Sequence, residues 1–76
     1  MKVKALAFAR YCELLGYSEV EISLPESSTL RELLQHALFV KLPSDALLAV
    51  NHRFVSRDEI LCHGDEVAVM PPVSGG

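Results

Sequence analysis

Thr29-Leu30-Arg31-Glu32-Leu33-Leu34-Gln35-His36-Ala37-Leu38 is the stretch on which the fold turns. Thr29 and Glu32 have the spacing of a capping box, in which each side chain bonds the other's backbone N–H. Leu30, Leu33, Leu34, Ala37 and Leu38 then recur at the spacing of one buried helix face. This predicts a main helix that runs on to residues 39–41. Pro25 stands before it and closes an alternating segment, 18–24. There Val20, Ile22 and Leu24 oppose Glu19, Glu21 and Ser23, as in a strand with one face in water. Further upstream, residues 2–9 alternate as well, with Val3, Ala5 and Ala7 on one face and Lys2, Lys4, Leu6 and Phe8 on the other. Arg10 to Leu15 is short and ends at Gly16, which reads as one or two helical turns with a glycine C-cap. The first two strands are expected to pair antiparallel.

Downstream, Leu42-Pro43-Ser44-Asp45 reads as a loop and Ala46 to Asn51 as a short interior strand. Asn51-His52-Arg53 turns the chain into Phe54-Val55. His63-Gly64-Asp65 is a second turn, and Glu66 to Met70 closes the domain with Val67 and Val69 inward and Ala68 and Met70 outward. Strand, short helix, strand, helix and three strands place one amphipathic helix on one mixed sheet, a two-layer α+β domain. The order matches a β-grasp arrangement, although order alone does not settle which strands pair. Residues 1–70 are expected to form this domain and residues 71–76 an extended tail.

Composition narrows the function. A chain of 76 residues is one small domain, with little surface left over for a deep catalytic cleft. Seven Lys and Arg against ten Asp and Glu give a net charge of −3, opposite to the basic face a nucleic-acid binder presents. No apolar run nears the roughly 20 residues that span a bilayer, and the N-terminus lacks the features of a signal peptide. A cytoplasmic protein is expected, with no membrane or nucleic-acid partner. Cys12 and Cys62 have no metal or framework spacing and read as reduced, buried, structural thiols, with a single disulfide left open. His36, beside the apolar face of the helix, and His52 and His63, in turns, have no partner at ligand spacing, so no metal site is expected. The chain carries no phosphate-binding glycine motif and no nucleophile with a convincing histidine and carboxylate beside it.

The last six residues, Pro71-Pro72-Val73-Ser74-Gly75-Gly76, stand apart. Two prolines donate no hydrogen bond and fix φ, so they should stop the sheet and project the tail stiffly. Gly75 and Gly76 have no Cβ and can thread a narrow channel. Apart from the Ser74 hydroxyl, the tail's distinctive group is the α-carboxylate of Gly76, a poor acyl donor until it is activated. A second feature is apolar residues on outward positions: Leu6, Phe8 and Met70, with Phe54 in a short turn-rich strand. Clustered exposed apolar groups in so small a domain mark a partner surface.

Leu48-Ala49-Val50-Asn51, Phe54-Val55-Ser56, Gly64-Asp65-Glu66-Val67-Ala68 and Pro71-Pro72-Val73-Ser74-Gly75-Gly76 together resemble the small, sulfur-carrier subunits of molybdopterin synthase (MoaD type). Phe8-Ala9 and Glu13-Leu14-Leu15-Gly16 also match. The resemblance covers nearly the whole chain and is densest near its end. It implies a ubiquitin-like β-grasp fold and a chain that is no enzyme alone. It implies that Gly76 is adenylylated by an ATP-dependent activating enzyme, and that a sulfur donor protein then leaves a thiocarboxylate there. It further implies insertion of Pro71 to Gly76 into the large catalytic subunit, sulfur transfer to cyclic pyranopterin monophosphate, and no permanently bound cofactor. Phe8, Phe54 and Met70 match the apolar docking positions of such carriers. Cys12, His63, Ala5, Ala7 and Met70 depart from the usual pattern; none of them lies in the tail. Carriers for thiazole synthesis or transfer-RNA thiolation, ubiquitin-like modifiers joined to lysines, and a plain interaction domain are the competing readings.

Overall fold

The computed structural model describes residues 1–72; Val73, Ser74, Gly75 and Gly76 lie outside the described residues. The elements are β1 (Lys2–Ala7), α1 (Arg10–Leu15), β2 (Glu19–Ser23), α2 (Leu30–Leu34), a 3₁₀ turn (Ala37–Phe39), β3 (Leu47–Val50), β4 (Arg53–Phe54) and β5 (Glu66–Met70). The five strands form one sheet in the order β2-β1-β5-β3-β4. β1 and β5 run parallel; β1/β2, β3/β5 and β3/β4 are antiparallel.

The alternation along the strands sorts side chains as expected. Val3, Ala5, Ala7, Ile22, Leu48, Val50, Val67 and Val69 are buried on the inner face. Tyr11, Leu30, Leu33, Phe39 and Leu61 complete the core from the helical layer and the loop before β5. Gly16 ends α1 in the left-handed region at φ 88°, the conformation a C-cap glycine allows. The capping box forms in full. Thr29 Oγ1 accepts from the Glu32 N–H at 3.2 Å, and Glu32 Oε1 accepts from the Thr29 N–H at 3.1 Å.

The main helix is shorter than its periodicity predicts, and this is the principal correction. α2 ends at Leu34. His36 is extended, with ψ 148°, and its Nδ1 accepts from the Leu38 N–H at 3.1 Å. The imidazole thus caps a fresh 3₁₀ turn rather than riding on a helix, because a side-chain acceptor two residues upstream competes with the helical bond. The Tyr17 hydroxyl donates to the Leu38 carbonyl at 3.2 Å and its ring meets Phe39 edge-on at 6.2 Å. Phe39 is buried and Ala37 faces solvent, the reverse of what an unbroken helix would give. β1 also stops two residues early, at Ala7, and β2 and β3 each lose a residue at both ends.

The cysteines need a second correction. Both are free, Cys12 is half-buried and Cys62 is exposed. Leu61 points into the core, so its neighbour Cys62 faces out, at the turn where its backbone N–H donates to Asp65 Oδ2 at 2.8 Å.

Candidate functional site: the open face of the sheet and the exit of the tail

The helical layer covers one face of the sheet and leaves the other open. Strand register decides what stands on it. Leu6 pairs with Ala68, Ala68 with Ala49, and Ala49 with Phe54, so four apolar residues from four strands form one row. In the next row Met70 pairs with Leu47, and Phe8 follows β1 alongside β5, its N–H donating to the Val69 carbonyl at 3.1 Å. Leu6, Phe8, Ala49, Phe54, Ala68 and Met70 line an open hollow of about 240 Å³, with His52 and Glu66 at its polar rim. Small residues in the centre and large ones at the margins give the hollow its shape. Phe8 is 46% exposed and Phe54 71% exposed.

The open face changes character along the strands. At its other end Lys4 pairs with Glu66 across β1 and β5, and Lys2 and Lys4 reach Glu21 and Glu19 of β2 at 3.7 and 3.9 Å. The apolar end is the end at which β5 stops. Met70 is its last residue and Pro71 follows. The apolar hollow therefore adjoins the point from which the tail departs. Pro71 and Pro72 are half-buried and outside any strand. Val73, Ser74, Gly75 and Gly76, the remaining residues of the expected site, fall outside the described residues.

The rim is held by a polar clamp. Asn51 and His52, at φ 51° and 70°, form the two-residue turn between β3 and β4, the conformation in which a tight hairpin matches strand twist. Asn51 Nδ2 donates to Asp65 Oδ1 at 2.9 Å, the Glu66 N–H donates to Asn51 Oδ1 at 3.0 Å, and the Asn51 N–H donates to the Glu66 carbonyl at 2.8 Å. The Ala-Val-Asn and Gly-Asp-Glu motifs thus meet and lock the β3–β4 hairpin to the start of β5. The His52 Nε2 lies 3.8 Å from Glu66 Oε1. His63 is a structural acceptor instead: its Nδ1 takes the Lys2 N–H at 3.0 Å.

Phe8, Phe54 and Met70 are thus brought to one surface, with Leu6. Ala49, His52 and Glu66 were not legible as members of that surface, because they join it only through strand register and the hairpin turn. Among the described residues, no group of three or more His, Cys, Asp and Glu could hold a metal ion. Nor is any helix among them long and apolar enough to cross a membrane.

A β-grasp domain with an open apolar face at the exit of its C-terminal tail has the architecture of the ubiquitin-like carrier proteins. Residues 6–76 match the model of the ThiS family. The chain is 35% identical over 82 residues to the molybdopterin synthase sulfur carrier subunit of Arabidopsis thaliana, covering 100% of this chain and 84% of that protein. The solved structure of molybdopterin converting factor subunit 1 from Pyrococcus furiosus is 40% identical and superposes with a TM-score of 0.85, covering 96% of this chain and 99% of that one. The chain belongs to the ThiS family, among the molybdopterin synthase sulfur carrier subunits. The Arabidopsis thaliana relative is a sulfur carrier subunit, in line with a chain that is not an enzyme on its own. At 23% identity, a chain in the complex of subunits 1 and 2 of the molybdopterin-converting factor from Helicobacter pylori 26695 shares the fold, with a TM-score of 0.70 and full coverage of both chains.

Proposed function

We propose that this chain is the sulfur carrier of a molybdopterin synthase and that the carboxylate of Gly76 is the group that carries the sulfur. One observation supports this above the others: the apolar hollow lies where β5 ends, so a partner seated on it stands where the tail begins. Phe8, Phe54 and Met70 are the docking residues. Burial of such side chains provides the affinity, and the tail provides the chemistry. The partner is the large catalytic subunit of the synthase, a reading supported by the Helicobacter pylori complex, which pairs a chain of this fold with a subunit 2.

A carboxylate has no adequate leaving group. An ATP-dependent activating enzyme supplies one: the Gly76 carboxylate attacks the α-phosphorus of ATP, and pyrophosphate departs. A sulfide-level sulfur donor then displaces AMP from the acyl-adenylate and leaves a thiocarboxylate on Gly76. The thiocarboxylate sulfur is nucleophilic: it displaces an oxygen substituent from a carbon of cyclic pyranopterin monophosphate, water cleaves the thioester so formed and returns the Gly76 carboxylate, and a second thiocarboxylated carrier delivers the other sulfur of the dithiolene. Gly75, without a Cβ, allows passage through both partner active sites, and Pro71 to Ser74 give the reach.

The test mixes the carrier with its activating enzyme, ATP and sulfide, then adds the large subunit and the cyclic pterin. Molybdopterin forms with the full chain and not when Gly76 is deleted. Full product from the deleted chain overturns the carrier reading. Thiocarboxylate that only a thiazole or transfer-RNA pathway consumes leaves the carrier chemistry intact and overturns the pathway.

A further inference from the structure

The junction between β1 and α1 turns on a single residue in an unusual conformation. Ala9 has φ 53° and ψ −136°. These angles match the first central position of a type II′ turn, a place glycine normally takes. The closing bond of that turn is present, with the Tyr11 N–H donating to the Phe8 carbonyl at 3.1 Å. Among the described residues the other positive-φ positions hold Gly16, Gly64, Ser27, Asn51 and His52, residues with no Cβ or with a polar side chain. At position 9 the chain keeps a methyl group, against the local steric preference, and that residue directly follows Phe8 on the rim of the apolar hollow. Strained backbone at such a place points to function.

We propose that Ala9 is a positioning residue that holds Phe8 on the docking face before a partner arrives. Both peptide groups of Phe8 are engaged, its N–H with the Val69 carbonyl and its C=O with the Tyr11 N–H, each at 3.1 Å. The second bond spans Ala9 and holds the peptide plane that sets ψ of Phe8, so how firmly Phe8 is held depends on how narrowly Ala9 is confined. Glycine would adopt the native angles without strain, but it would also visit many others. Alanine reaches them at a cost in stability and, once the sheet and helix enforce them, has a narrow well. A fixed Phe8 loses less freedom on docking, so association is tighter. The inference rests on Phe8 being a docking residue, and its test separates the two.

Two variants decide it. Ala9→Gly should raise the urea midpoint of unfolding, lower the backbone order parameter of Phe8 in the free protein, and weaken binding to the large synthase subunit roughly threefold to tenfold. The weaker binding should appear in calorimetry as a larger entropic cost. The second variant, made by chemical synthesis, carries D-alanine at position 9. The native angles mirror the extended region that an L residue favours, so D-alanine should relieve the strain and keep the confinement. It should raise the urea midpoint as well, yet keep the Phe8 order and bind like the native chain. Unchanged Phe8 order in Ala9→Gly overturns the positioning role, whatever the partner does. Weakened binding in the D-alanine protein overturns it too, since strain rather than confinement would then be what matters. Phe8→Ala in the same titration tests the docking surface separately: no loss there removes Phe8 from the interface, while the order parameter still decides what Ala9 does.

Discussion

Tyr11 shows how a single side chain can work against its own fold. It is 1% exposed, and its hydroxyl is the side-chain polar atom among the described residues that is buried without a hydrogen-bond partner. A buried unpaired group forfeits its hydration, at a cost of about 1–3 kcal/mol. The ring fills the core beneath α1, and the Arg10 guanidinium lies 5.5 Å from its centroid. Tyr11→Phe keeps the ring and removes the orphan, so urea unfolding should show a gain of about 1 kcal/mol. Tyr17 behaves in the opposite way. Burial pushes its phenol above the ordinary value of 10.0, and its hydroxyl donates to Leu38. The neutral form is thus favoured in the folded state. Its stabilisation is complete below the unfolded-state pKa and is lost as pH climbs through the raised folded value. The native protein should lose stability between about pH 9 and about pH 11 more steeply than Tyr17→Phe does, as read from urea midpoints at the two values.

At the scale of elements, the short helix α2 depends on its ends. Five residues are too few to form a stable helix by propensity alone, so the capping box and the burial of Leu30 and Leu33 carry it. Thr29→Ala removes the acceptor for the Glu32 N–H and the hydroxyl donor to the Glu32 carboxylate, while the backbone N–H of residue 29 keeps its bond to that carboxylate. Stability should fall by about 1 kcal/mol, measured by thermal or urea unfolding, with the fold retained. The same region shows where periodicity misled. Leu34, Ala37 and Leu38 have helical spacing, yet His36 starts a new turn and rotates Ala37 into solvent. A helix and a helix followed by a 3₁₀ turn bury almost the same set of apolar residues, so hydrophobic spacing does not separate them. The hydrogen bond from Leu38 to the imidazole does.

At the scale of the whole molecule, the sheet is a platform with its inner face spent on the core and its outer face left open. Phe8→Asp should test that division. Phe8 lies outside the buried core, so circular dichroism should show a folded domain. Loss of a large apolar contact of roughly 1.5–3 kcal/mol, made worse by a charge in an apolar contact, should weaken the complex with the large subunit by more than tenfold. Unfolding of the isolated variant would place Phe8 in the core and remove it from the docking face. The clamp from Asn51 to Asp65 acts at this scale too, because it ties residues 14 apart in the chain and anchors the β3–β4 turn to the start of β5.

Strand alternation, the capping box, Gly16 and the turn at Asn51 and His52 were all legible in the sequence, because each is a local signal with a local cause. So was the outward placing of Leu6, Phe8 and Met70, which needs only the two-residue period of a strand. The Pro-Pro-Val-Ser-Gly-Gly stretch was read as the carrier end through its resemblance to the sulfur carriers, and four of its residues lie outside the described residues. The tertiary structure alone decided that β5 lies between β1 and β3, and hence that Leu6, Ala68, Ala49 and Phe54 share a row. The β1–β5 pairing joins residues 62 positions apart and the β5–β3 pairing residues 17 to 23 apart, and the alternation within one strand is the same whichever neighbour it takes.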